Sequence, residues 1–425
     1  MKYIDEYGVF PNTAEILTEK IQFAIDDCAK TGETLSFKKG KYKTGTLIFK
    51  SNLSIHLEKD SVICGSEDMN DYPDNDASFV DAVDEKRGKA LILCYKCDNI
   101  KVTGEGEICG NGKSFNIPTR PFLFRIVSSK NVILDGVRLT DSAAWCLHIN
   151  KSSDISVKNI YINSRVNSNN DGIDIDSSSN VLIENCDISS GDDAVCIKTT
   201  SEIPTSHITV RNCKISSGWA GFKIGTETVG DIFDIKVTDC YMYDITGGGI
   251  KFVPTDGANV SDIFISDIKM DNCTGPIFII LGERLRKYAG VGRETLSTIK
   301  NVVIKNIDAD VVKAPERGIV FDEIWGNSIG GIIISGTKKN MIENLSLENI
   351  NASLPGGVKE FSEREIPYIK DNYPEFHRMD PVSAKGIYLR DAKDVNLKNI
   401  VLSFKEEDVR EIVKTENVEN LLSDV

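Results

Sequence analysis

The sequence is short of positive charge, of histidine and of long apolar runs. Its 50 lysines and arginines stand against 64 aspartates and glutamates, a formal net charge of −14. That balance argues against general nucleic-acid binding, which needs a basic face. A small acidic substrate stays compatible, because a cleft can be locally basic. No run of about 18 apolar residues occurs, so no membrane-spanning helix is expected. The N-terminal MKYIDEYGVFPNTAEILTEK has no apolar signal core and no small-residue cleavage site, and a cytoplasmic location is the simplest expectation. Cys94 and Cys97 form a C-x-x-C with no second pair, too few ligands for a closed zinc site. No metal and no cofactor is therefore expected. Eleven cysteines, an odd number, favour reduced thiols. Phosphate loops, nucleophile elbows and helical metal motifs are missing too.

What is present is repetition. A short β-rich phrase returns as DNIKVTGEGEI from Asp98, KNVILDGVRL from Lys130, SDISVKNIYI from Ser153 and SNVLIENCDI from Ser179. It continues through SHITVRNCKI from Ser206 to KDVNLKNIVL from Lys393, with middle copies 26 to 28 residues apart. Each copy alternates apolar and polar residues, as a strand with one buried face does. A period of this size with about three short strands per turn predicts an all-β fold, a parallel β-helix. Asn at strand ends suits left-handed turn positions. Residues 1–35 are expected as an N-terminal cap. Within it, Ile16, Leu17, Ile21, Ala24, Ile25 and Cys28 have helical spacing, with Asn12 or Thr13 to start the helix and Gly32 to stop it. Residues 36–410 are expected as one β-helix domain. Inside it, 355–381 is a long loop beside the cleft, and its aromatics suggest an ordered flap. Residues 411–425 read as a charged tail.

Residues 169–198 hold the densest chemistry: NNDGIDID, SSNVLIENCDISS and GDDAVCIK. Asp171 and Asp193 stand 22 residues apart, an offset shared by Ile173 with Val195 and Ile175 with Ile197. One repeat between them would put Asp171 beside Asp193 and Asp192, on strands ~4.8 Å apart. Like charges held that close raise at least one carboxyl pKa, and an acid beside a carboxylate can split a glycosidic bond. If Ile175, Ile197, Ile224 and Ile250 form one inward stack, the flanking columns read Asp174, Cys196, Lys223, Gly249 and Asp176, Lys198, Gly225, Lys251. Three lysines beside an acid pair suit a sugar acid, whose carboxylate they would hold. Asp176 and Lys198 could instead simply pair across strands. His148 lies 26 residues before Asp174 and either lines the cleft or packs beside Trp145. Arg284, Arg286 and Lys287 form a basic cluster, by default a solvated loop and otherwise a distal contact to an acidic substrate.

NNDGIDID, SSGDDAVCIKT, SSGWAGFKIGTE and TGGGIKF, in that order and spacing, resemble glycoside hydrolase family 28, the polygalacturonase and rhamnogalacturonase family. The resemblance covers nearly the whole chain and implies a right-handed parallel β-helix and hydrolysis with inversion. It implies that Asp192 is the general acid, that Asp171 and Asp193 activate water, that Asn169 opens the N-x-D segment, and that Lys251 binds substrate. Two positions depart from the polygalacturonase branch, which has His where this chain has Ala220 and Arg where it has Gly249. The rhamnogalacturonase-like branch shares both departures. Lys223 could replace the missing Arg at a shifted position, though as a point charge rather than a fork.

The expected partner is an oligosaccharide containing galacturonic acid, cut at an α-galacturonosyl linkage, with exo attack favoured; neither nucleic acid nor membrane is an expected partner. A calcium-dependent lyase on the same solenoid, with Asp171, Asp174, Asp192 and Asp193 as ligands, and a non-catalytic carbohydrate-binding solenoid are the alternatives.

Overall fold

The computed structural model describes residues 1–81, 85–115, 120–313, 331–370, 373–379 and 381–425. It contains two compact units, Met1–Asp193 and Ala194–Val425. Each is built from coils of right-handed parallel β-helix, as the repeat predicts.

In the first unit each turn lays down three short strands. One column runs through Thr34–Phe37, Ser54–Leu57, Asp98–Gly104, Lys130–Asp135, Ser153–Lys158 and Ser179–Glu184. Its register stacks Leu35, Ile55, Val102, Leu134, Val157 and Ile183, all buried. The column that carries the chemistry runs through Leu47–Phe49, Ala90–Tyr95, Phe122–Val127, Leu147–Asn150 and Ile173–Asp176. Cys94, Ile126, Ile149 and Ile175 form its inward stack. Burying such a side chain stabilises by ~1.5–3 kcal/mol, so the alternating pattern fixes which face points in.

In the second unit, two of the three strands of a turn merge into bent strands such as Ile232–Ile245, Asn259–Cys273, Thr298–Val311 and Ile342–Gly356. The bends fall at Asp239, Asp267, Asn306 and Asn349, whose φ values lie between 55° and 59°. Asn and Asp tolerate that left-handed backbone best among residues with a side chain. Their amides also chain along the coil: Asn306 donates to Asp267 and Asn349 to Asn306, each at 2.9 Å. The remaining column stacks Ile197, Ile224, Phe252, Ile279 and Ile334.

Three segments differ from expectation. The helix spans Thr18–Thr31 and starts at Leu17, later than Asn12 or Thr13; Gly32 ends it at φ 71°. Asn12 instead accepts from the Lys41 N–H at 3.0 Å. Gln22 on that helix both accepts from and donates to the main chain of Ile48, at 2.8 Å each, which satisfies part of an open strand edge. Residues expected as a tail carry the strand Glu411–Ser423, paired in parallel with Ala384–Glu406. Its many charges hid the alternation. The loop from Gly357 is a strap held by polar ties: Arg390 donates to Ile366 O at 2.7 Å, and Tyr368 to Asp391 at 2.6 Å. Residues 82–84, 116–119, 314–330, 371–372 and 380 of the expected single domain lie outside the described residues.

Candidate active site

In the first unit, one carboxylate oxygen from each of Asp171, Asp192 and Asp193 lies within 4.8 Å of the others. Asp171 and Asp193 are buried and Asp192 is half-buried. The main chain sets this spacing, because the Gly172 N–H donates to Asp193 O at 2.9 Å and locks the NDG turn onto the GDD turn. Asp192 Oδ1 accepts the Asp193 N–H at 3.0 Å.

Buried amides hold the NDG turn in place. Asn170 accepts from the Val166 and Asn167 N–H groups at 2.9 and 2.7 Å. Its amide donates to Ser142 O and Ala144 O at 2.8 and 2.9 Å. All four hydrogen-bonding positions of that amide are thus used. Beside it, exposed Asn169 sits at φ 51° and donates to Asp192 Oδ2 at 3.4 Å. Buried Arg120 donates to Ser168 O at 2.6 Å and to Asn169 Oδ1 at 3.1 Å. A cation therefore reaches Asp192 through one intervening amide.

Asp174 pairs in register with His148, and His148 with Arg125. Alternation turns this column away from the core, yet all three residues are fully buried. Aromatic side chains roof it: the His148 ring lies 5.0 Å from Phe79, 5.5 Å from Phe122 and 5.1 Å from Trp145. His148 is thus packed beside Trp145, the second of the two alternatives. Its Nδ1 faces Arg125 Nε at 3.3 Å and its Nε2 lies 3.5 Å from Asp176. Asp176 accepts from Asn150 at 2.7 Å. Burial pulls the Arg125 pKa down to about 9, against the pull of Asp176.

In the second unit the register corrects one column. Lys223 pairs directly with Lys251, and Ile224 with Phe252 rather than Ile250. The true step is two residues longer than the 26 read from the repeat. A slip of one residue turns every side chain to the other face, whereas a slip of two preserves the pattern. Lys223 therefore shares a column with Lys251 and not with Gly249. A side chain at Gly249 would begin 2.6 Å from Met270 Sδ, so the end of the Met270 side chain would have to move to admit one.

Each lysine site faces charge. Lys198 reaches Glu227 at 3.3 Å with both side chains buried. Burial opposes the charge of Glu227, but Lys198, Arg284 and Lys223 outweigh it and hold its pKa below the ordinary 4.5. Arg284 forks onto Asp256 at 2.9 and 2.6 Å, and Tyr288 donates to the same carboxylate at 2.8 Å. The expected solvated loop is therefore, at Arg284, a buried ion pair. Lys251 is wholly buried, pairs with Glu375 of the strap, and lies 4.6 Å from the Trp219 ring centre. The sequence reading missed Glu375, Arg120 and Asn170. Asn170 stood inside a quoted motif.

Residues 33–354 match the family model described as glycosyl hydrolases family 28. The chain is 27% identical over 292 residues to a "Probable polygalacturonase" of Vitis vinifera, covering 62% of this chain and 60% of that one. It is 24% identical over 394 residues to an "Exopolygalacturonase" of Zea mays, covering 84% and 89%. Its fold is similar to the crystal structure of a hyperthermoactive exopolygalacturonase from Thermotoga maritima, with TM-score 0.68, 20% identity and coverage of 83% and 86%.

Proposed function

The chain belongs to glycosyl hydrolases family 28, and from that premise we propose that it hydrolyses α-galacturonosyl linkages in pectin-derived oligosaccharides, from one chain end. The observation that carries this reading is the crowding of Asp171, Asp192 and Asp193 within 4.8 Å. Like charges so close are costly unless a proton is shared or chemistry uses them. Asp192, the most exposed of the three, protonates the departing oxygen. Asp171 and Asp193 hold and deprotonate water, giving inversion. Asn169 orients Asp192, and Arg120 fixes Asn169. Lys223, Lys251 and Lys198 are the cations assigned to the substrate carboxylate. Asp174 and His148 are buried and act by positioning. The exopolygalacturonase named among the relatives supports end-wise attack.

The carboxyl spacing favours a second reading. Inverting pairs usually stand ~6.5–9.5 Å apart and retaining pairs ~5–5.5 Å apart. The 4.8 Å here is between single oxygens, one from each residue, rather than between whole carboxyl groups. The same oxygens are close enough to share one cation, as a lyase would require. Digestion of defined galacturonan and rhamnogalacturonan oligomers tests the proposal. Single sugars released stepwise from one end, without an ultraviolet-absorbing double bond and in the presence of a chelator, are expected. Random internal cuts would remove the end-wise part, and an unsaturated product that needs calcium would replace hydrolysis by elimination.

A further inference from the structure

We infer that Glu375 is a specificity-determining residue, an internal carboxylate that competes with a sugar acid for Lys251. The inference rests on the reading that Lys251 receives a uronate.

Lys251 comes from the strand Ile250–Pro254, and Glu375 comes from the strap. Both side chains are almost wholly removed from solvent. Glu375 is the residue that starts the short turn Phe376–Arg378, where the Met379 N–H donates to Phe376 O at 2.9 Å. The flanking side chains anchor it. Phe376 lies 5.9 Å from Phe278 and is buried with Ile366, Met379 and Val382 in one apolar cluster. Arg364 ties the strap further by donating to Met379 O at 2.9 Å. The carboxylate is therefore delivered to the ammonium by a packed segment, not by a wandering side chain.

An ammonium in a dry, aromatic-walled site must be paired. Trp219 supplies a ring face and Glu375 the counter-charge. A uronate arriving there meets a lysine already neutralised, and a second carboxylate beside Glu375 is repelled. A neutral sugar meets no such penalty. Glu375 thus lowers affinity for a uronate at this position, whereas an uncharged ring is not repelled by it.

Calorimetric titration of a galacturonate trimer into the Asp192→Asn protein, with and without Glu375→Gln, decides the matter. Gln keeps the shape and removes the charge. Binding is expected to tighten about tenfold or more, with the gain shrinking as salt rises and no gain for a neutral galactose trimer. Equal binding, weaker binding, or no binding to either protein would overturn the inference. Should the Gln variant fail to fold, Glu375→Asp draws the carboxylate back from Lys251, and a smaller tightening is expected; none would overturn it equally. Turnover of the trimer by the wild-type protein is scored apart. Absent turnover with the binding shift intact sinks the hydrolase reading alone, and turnover without the shift sinks only the role of Glu375.

Discussion

Two charged regions of this protein are organised in opposite ways. At Asp171, Asp192 and Asp193, charges of one sign are crowded within 4.8 Å and held there by the main chain. At Arg284, Asp256, Lys251 and Glu375, charges of opposite sign are matched in pairs and sealed from water. Matched buried pairs approach electrostatic break-even and serve to fix geometry. A crowded like-charge cluster carries a cost that protonation or substrate relieves. The first region is therefore read as the reacting centre and the second as positioning at Arg284 and Asp256 and substrate selection at Lys251 and Glu375, and removing one charge should have opposite consequences in each.

The largest effect is expected at the crowded site. Asp192→Asn should lower turnover by ~10²–10⁴-fold, the usual weight of a general acid, with the melting temperature unchanged or raised. Steady-state kinetics and thermal melting check both halves, and near-normal turnover would break the comparison. At the matched site the signs reverse. Asp256→Asn leaves the Arg284 guanidinium buried beside a neutral amide, and should cost ~3–5 kcal/mol of stability in denaturant unfolding. No loss there would show that the pair is not structural.

A smaller effect sharpens the contrast. The Glu227 pKa is held below its ordinary 4.5 by Lys198, Arg284 and Lys223, against the effect of burial. A depressed carboxyl contributes stability above its unfolded pKa and loses it as pH falls through the folded one. The stability gap between wild type and Glu227→Gln should be widest near neutrality and close on acidification below about pH 4. A gap constant from neutral to acid pH would show that Glu227 carries no such coupling.

How much of this was legible beforehand depended on periodicity. The pairing of Ile197 with Ile224 follows from alternation, because a buried face repeats every second residue. Asp171 and Asp193 meet because the repeats that carry them also bring Gly172 N–H to Asp193 O. The same periodicity concealed the slip that set Lys223 beside Lys251, since a shift by two residues leaves every apolar position apolar. Alternation also says only that Arg125, His148 and Asp174 leave the core; it cannot say that Phe79 and Phe122 roof them. Glu375 was invisible for a related reason. It sits in an irregular strap whose course is set by Phe376 packing on Phe278 and by Arg390 bonding Ile366 O, contacts distant in sequence.

The most direct test of the catalytic assignment is the anomeric configuration of the first galacturonate released, followed by proton resonance before the sugar mutarotates. Water activated by Asp171 and Asp193 opposite an acid at Asp192 gives the β anomer first. Initial release of the α anomer would mean a covalent intermediate on one of these carboxylates, and would contradict the account.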